Sequence, residues 1–261
     1  MNRTRDILDA LISAVDEQVA RRNAALLFSG GLDSSVLAAI MVNRSSLTLY
    51  TVGIDKSHDL VVAEETAALL DLPWVGLVVD EDDIMRSIIL VSRLICTKNP
   101  LTISFEMPLC LVSERVKEVL LVCGQGADEL FGGYARYLRM SSDQLRMSMK
   151  GDLTRLIDVG LKNERRIADQ YGKELLHPFL HPGVVDCAKT IPPEEHIQDG
   201  VRKVVLRDVG LSLGLGEIAM REKKAVQYGS GIMKVMKAAA RRKGMALAPF
   251  IEDIVSKGES P

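Results

Sequence analysis

The segment Ser29-Gly30-Gly31-Leu32-Asp33-Ser34-Ser35 sets glycines, hydroxyls and one carboxylate between an apolar run and a helix-like stretch. Glycine admits positive φ and lets backbone N–H groups come close to a ligand. Serine hydroxyls add donors, and the positive end of the following helix favours an anion. Together these make a nest for phosphate oxygens. It is not a Walker A loop, because no Gly-Lys-Ser/Thr ending follows. Asp33 would repel a phosphate unless a cation lies between them, and Mg2+ fills that place in nucleotide sites. The competing reading is a plain helix-capping turn, in which Asp33 and Ser34 satisfy free N–H groups.

A second loop, Gly124-Gln125-Gly126-Ala127-Asp128-Glu129-Leu130-Phe131-Gly132-Gly133-Tyr134, again joins glycines to acids. Asp128 and Glu129 are adjacent carboxylates at the head of a short helix. They serve either as capping and surface charge, or Asp128 joins Asp33 in caging one hard cation. The third signal is Arg221-Glu222-Lys223-Lys224, which runs on to Gly229-Ser230-Gly231. A lysine pair before such a turn can place a cation over phosphates and stabilise charge on a leaving group. A charge run is otherwise a solvated face.

These loops need a frame. Ile7, Leu8, Leu11, Ile12, Val15 and Val19 fall at helical spacing. Ala24 to Phe28 is a short continuous apolar run, the look of a strand buried on both faces. Ser34–Val42 reads as a helix, Leu47–Val52 as a strand, Asp59–Leu70 as a helix, Trp74–Val79 as a strand. Asp80-Glu81-Asp82-Asp83 puts acids at a helix start, and Glu118–Cys123 is another apolar strand. This rhythm predicts an α/β fold with a doubly wound parallel sheet. After about Gly133 strand-like runs cease, and glycines and prolines break short helical segments. The expected organisation is an N-terminal helix (1–22), a nucleotide-binding α/β core (23–135), a helical region completing the site (136–255) and a tail (256–261).

The chain has 261 residues with 47% hydrophobic content, enough for a packed core. The formal net charge of −2 argues against chain-wide attraction to nucleic acid. Cys96, Cys110, Cys123 and Cys187 show no CxxC pair and no zinc-like spacing with histidine. They read as small buried hydrophobes in a reducing compartment. Met1 to Asp6 lacks the apolar core of a signal peptide, and no run is long enough to span a bilayer. The expectation is a cytoplasmic protein with no membrane association.

The first loop resembles the SGGxDS PP-loop of the ATP pyrophosphatases, whose fold is that of the adenine nucleotide alpha hydrolases. The group includes the argininosuccinate, GMP and asparagine synthetases and several tRNA-modifying enzymes. The second loop narrows this, because Gly-x-Gly-x-Asp-Glu-Leu-Phe-Gly-Gly-Tyr resembles the synthetase domain of asparagine synthetases and β-lactam synthetase relatives. Ser57-His58-Asp59-Leu60 is similar to that family's Ser-Pro-Asp-Leu, Pro178-Phe179-Leu180 to its Pro-Phe-Leu-Asp turn, and Lys203-Val204-Val205-Leu206-Arg207 to its Lys-x-x-Leu-Arg helix. That helix is read here mainly as structural support.

The resemblance implies an ATP-dependent amide ligase. It would activate aspartate or a similar carboxylate as an acyl-adenylate, release pyrophosphate, and let ammonia or another amine displace AMP. It further implies that ATP meets Ser29, Gly30, Gly31, Asp33, Ser34 and Ser35, with adenine against Val52 and the backbone near Leu27, Cys123 and Gly124. Mg2+ would sit on Asp33 and Asp128. Lys223, or Lys224 as alternate, would contact pyrophosphate. Asp128, Glu129, Gln125 and Lys223 form the implied catalytic group.

Three departures bear on this. The glutaminase domain of the glutamine-dependent members is not expected, since Asn2 stands where they carry a catalytic cysteine. A separate glutaminase subunit is one ammonia source the resemblance allows, and assembly into a homo-oligomer is compatible with it. Gln125 replaces a glutamate implicated in proton transfer, and an amide cannot act as a general base. His181 replaces the aspartate after Pro178-Phe179-Leu180, and Leu176 an arginine. His177 and His181 lie at i, i+4, but the intervening proline and lack of a third ligand argue against a metal pair. Two alternatives keep the nucleotide: a different acceptor, such as a tRNA base (Arg241-Arg242-Lys243 being the basic cluster) or a small metabolite, and a non-catalytic ATP-binding subunit.

Overall fold

The computed structural model describes residues 3–221 and 229–258. Its centre is a five-stranded sheet of β1 (Asn23–Leu27), β2 (Ser46–Gly53), β3 (Trp74–Val78), β4 (Leu120–Val122) and β5 (Glu174–Leu176). The spatial order is β3-β2-β1-β4-β5, and each neighbouring pair is parallel. Alternation along β1 sends Ala24 and Leu26 to one core and Ala25 to the other. Both faces of the strand are thus buried, which is why it reads as an unbroken apolar run.

Helices cover both faces. One layer holds α1 (Arg3–Gln18), α2 (Leu32–Met41) and α3 (His58–Leu69). The other holds α4 (Glu81–Leu94) and α5 (Pro100–Arg115). The acids expected at a helix start do begin α4, where Asp80 and Asp83 form a reciprocal capping box. The chain continues through α6 (Ala127–Phe131), α7 (Ser142–Arg155), α8 (Leu161–Gln170), α9 (Pro182–Lys189) and α10 (Pro193–His196). A two-stranded hairpin of β6 (Ile197–Gln198) and β7 (Val201–Arg202) precedes α11 (Val204–Ser212) and α12 (Gly216–Met220). Two further helices, α13 (Ile232–Arg242) and α14 (Leu247–Gly258), pack beside α4 and α5. Among the described residues, no helix is long and apolar enough to cross a membrane.

The expectation of a second half without strands is corrected. β5 extends the sheet beside β4, with Val122 opposite Leu176. The expected strand Glu118–Cys123 is shorter, at Leu120–Val122, although backbone bonds from Glu174 N to Val119 O and Cys123 N to Leu176 O continue the pairing at both ends. The chain winds outward from β1 through β2 to β3, then crosses back to β4. The winding reverses between β1 and β4, and ligands of such sheets bind in the crevice outside the carboxyl ends of the strands there. The loop after β1 is Ser29–Ser35 and the loop after β4 is Gly124–Tyr134, so both glycine–acid loops open onto that crevice.

Candidate active site

The first loop keeps its shape through close packing. Gly30 has φ +69°, and a Cβ there would lie 2.8 Å from the carbonyl oxygen of Val62. No side chain caps α2. The Oγ of Ser34 instead accepts from Ser29 N at 3.3 Å and donates to Gly31 O at 3.3 Å. Asp33 stands in the first turn of α2, and its ion pair is made outside the helix.

Its partner is Lys203. The ammonium Nζ lies 2.5 Å from Oδ1 of Asp33 and 2.7 Å from Oδ1 of Asp128. Asp33 and Asp128, from loops after different strands, thus converge on one positively charged atom. Lys203 is only 4% exposed and takes a left-handed conformation, φ 59° and ψ 37°, at the head of α11. Backbone strain in a non-glycine residue persists where the surroundings over-determine it. A lysine at a helix N-terminus also opposes the helix dipole. The sequence alone does not place this lysine at the helix start, so its role becomes visible only in the fold. Gly133 is bound into the same arrangement, because a Cβ on it would fall 1.8 Å from Oδ1 of Asp128 and 2.2 Å from Cε of Lys203.

Two cavities meet at Asp33. The more polar one, about 110 Å³, runs from Ser29, Gly30 and Gly31 past Asp59 to Arg202, Lys203, Arg207 and Arg221. Arg202 donates to Gly133 O at 2.6 Å, and Arg221 to the Thr66 hydroxyl at 2.8 Å, which in turn donates to Gly30 O. The arginines are thereby tied to both loops. The other cavity, about 200 Å³, has an apolar wall of Leu27, Val52, Leu109 and Val112 and a polar end at Gln125, Asp128 and Glu164. Asp59 borders both, and burial pushes it up to about 6 while His58 pulls the other way.

The residues read from sequence distribute as follows. Leu27, Ser29, Asp33, Ser34, Val52, Cys123, Gly124, Gln125 and Asp128 line the apolar-walled cavity, and Gly30 and Gly31 line the polar one. Ser35 lines neither. It is fully buried, and its N–H donates to Gly31 O. Glu129 is also turned away. Successive helical residues point about 100° apart, so Glu129 faces a separate cavity beside Arg146, Lys150 and His196. Burial raises its carboxyl, and one oxygen accepts from the Tyr134 hydroxyl at 2.5 Å. Grouping it with Asp128 is corrected on that geometry. Lys223 and Lys224 lie outside the described residues. Gly229 and Ser230 bring the far side of that segment to the site, since a Cβ on Gly229 would fall 1.8 Å from Oδ1 of Asp59.

On the acceptor side, Gln125 Nε2 donates to Oε1 of Glu164 at 2.6 Å, and Nε2 of His177 sits 2.6 Å from Oε2 of the same carboxylate. His181 instead meets Glu17 at 3.1 Å, so the two histidines do not pair. Glu164 was not singled out in the sequence, where it is one charge among Lys162, Arg165 and Arg166 on a surface-like helix.

The residues also fit a hard cation. Two carboxylates from separate loops converging on one positive atom is the donor arrangement that such an ion needs, with Lys203 Nζ standing in for part of that charge.

The model of a family described as asparagine synthase matches residues 6–150 and 140–249. A Methanocaldococcus jannaschii protein, provisionally named asparagine synthetase 1 (glutamine-hydrolyzing), is 30% identical over 260 residues, covering 85% of this chain and 48% of the relative. The asparagine synthetase (glutamine-hydrolyzing) of Gallus gallus is 27% identical over 237 residues, covering 84% of this chain and 42% of its own. The chain thus spans about half the length of the curated relatives it matches. Among solved structures, an NMN synthetase from Francisella tularensis aligns over 98% of this chain and 93% of its own, at 11% identity and a TM-score of 0.45.

Proposed function

Because this chain belongs to the asparagine synthase family, we propose that it is an ATP-dependent ligase that adenylates a carboxylate, aspartate or one of similar size, and passes the acyl group to ammonia or another amine. The observation that carries this reading is the convergence of Asp33 and Asp128 on Lys203 at the reversal of the sheet. In this reading adenine lies against Leu27, Val52 and Leu109, where apolar side chains take up its faces. The phosphates run past Ser29–Gly31 toward Arg202, Lys203, Arg207 and Arg221. A carboxylate oxygen attacks the α-phosphorus while the bond to the bridging oxygen of the β-phosphate breaks, so pyrophosphate leaves into a pocket of fixed positive charge. Bound Mg2+, on Asp33 and Asp128, would add charge neutralisation at the pyrophosphate. Lys203 is cationic on a buried stem, so it offers that charge without reorganising when the bond breaks. The amine then attacks the acyl carbon and AMP departs. Gln125 orients this side by hydrogen bonding and takes no proton.

The test is pyrophosphate release from Mg-ATP across a panel of single amino acids and small carboxylates, with and without ammonia. One carboxylate is expected to stimulate release, and ammonia to convert it to the amide. Silence across the panel would overturn the reading.

A further inference from the structure

Parallel pairing places Val122 of β4 opposite Leu176 of β5, so the residues that follow, Cys123 and His177, emerge side by side from neighbouring strands. A backbone bond from Cys123 N to Leu176 O, at 3.1 Å, fixes that register. Glu164, on α8, closes over the pair and is 3% exposed. One sulfur, one imidazole nitrogen and one carboxylate oxygen lie within 4.8 Å of one another. Spacing in the sequence cannot show such a set, because each ligand comes from a different element.

From this geometry we infer that Cys123, Glu164 and His177 form a binding site for a zinc-class divalent ion, with a fourth position open to the apolar-walled cavity. A thiolate, an imidazole and a carboxylate together suit Zn2+ better than Mg2+ or Ca2+, which take oxygen ligands. Zn–S of about 2.3 Å and Zn–N or Zn–O of about 2.0 Å put tetrahedral donors roughly 3.3–3.5 Å apart. The ligand atoms, within 4.8 Å of one another, would reach that spacing by small side-chain rotations. Three protein ligands with an open fourth position are the pattern of reactive rather than structural zinc. Cys123 and Glu164 both border the cavity, so the open position faces it beside Gln125. It would take a water or another lone-pair donor such as an amine. Gln125 supplies the outer support such sites need. Its amide holds Oε1 of Glu164 and leaves Oε2 turned toward His177. Metal binding at such ligands would be coupled to proton release, so it should weaken as pH falls.

The experiment uses the whole chain, stripped with chelator and titrated with Co2+ and then Zn2+, with no nucleotide present. The expected result is one Co2+ per chain with a thiolate-to-cobalt charge-transfer band in the near ultraviolet, displaced by Zn2+. The band should vanish in C123S and persist in C96S/C187S, which removes the cysteines that reach the surface. Q125A should weaken Co2+ binding by roughly 10–100-fold while keeping the band at saturation. Absence of the band in the wild type, or its survival in C123S, overturns the site. Should C123S not fold, H177A serves in its place: the band is expected to be lost there, and its survival overturns the site. The readout involves no turnover, so it stands or falls separately from the ligase assignment.

Discussion

Nζ of Lys203 stands 2.5 Å from Oδ1 of Asp33, although the two residues are 170 positions apart in the chain. The contact joins the loop after β1 to the head of α11, and Asp128 completes it from the loop after β4. In Lys203→Met the two carboxylates lose their shared counter-charge. Breaking a largely buried pair of this kind costs up to about 3 kcal/mol. Pyrophosphate release should fall by at least about 10²-fold, the usual loss when one fixed charge-stabilising group is removed. The same variant should gain more thermal stability from Mg2+ alone than the wild type does, because a cation can then settle between the aspartates. Melting curves with and without Mg2+ check this, and equal shifts in the two proteins would contradict it.

Gly30→Ala tests whether the first loop is held as tightly as its packing implies. A left-handed φ costs an alanine about 1–2 kcal/mol, and its Cβ would also press on the backbone of Val62 and Ala63. The expected loss is roughly 2–5 kcal/mol in denaturant unfolding, with ATP binding lost even where the protein remains folded. An alanine tolerated with unchanged nucleotide affinity would mean that the loop rearranges freely.

Much of the frame was legible in the sequence because burial on both faces leaves an unbroken apolar run. β1 showed one; β2 and β3 were legible instead from apolar and β-branched residues between turn signals, within a residue or two of the observed bounds, although β3 lies at the edge with Val75 and Val78 exposed. β5 was not, because Glu174-Leu175-Leu176 is short, lies at the edge, and leaves Leu175 and Leu176 only partly covered. The glycine–acid loops were legible by composition. Lys203 was not: charge runs drew attention to Lys223 and Lys224, whereas this cation stands alone behind a short hairpin. The Cys123–Glu164–His177 cluster depends on strand register and on a helix crossing above it, neither of which a one-dimensional pattern contains.

Glu106 gives a pH signature. Burial, and then the charge of Glu164, push its carboxyl up to about 8 from an ordinary value of 4.5. Between those values the folded chain keeps a proton that the unfolded chain has released. The stability Glu106 allows is therefore complete below about 4.5 and is lost as pH rises toward about 8. The slope is at most about 1.4 kcal/mol per pH unit. Glu106→Gln keeps a neutral side chain of the same shape and should flatten this limb. Urea midpoints measured across the window should diverge between the two proteins as pH rises, and parallel curves would count against a protonated Glu106.

The adjacent acids Asp128 and Glu129 offer the sharpest contrast. Asp128 faces the crevice and meets Lys203, whereas Glu129 is rotated into a different cavity and is held by Tyr134. Asp128→Asn removes one of the converging charges and leaves Lys203 with Asp33 alone. Release of pyrophosphate should drop by about 10²-fold or more, and the Mg2+ concentration for half-maximal rate should rise. Glu129→Gln preserves the acceptor for the Tyr134 hydroxyl and places a neutral group where burial already disfavours charge. Its rate should stay within several-fold of wild type, and its Mg2+ dependence should not move. Equal losses in both variants would show that the acids act as a pair, and the rotation of Glu129 away from the crevice would then not describe the working enzyme.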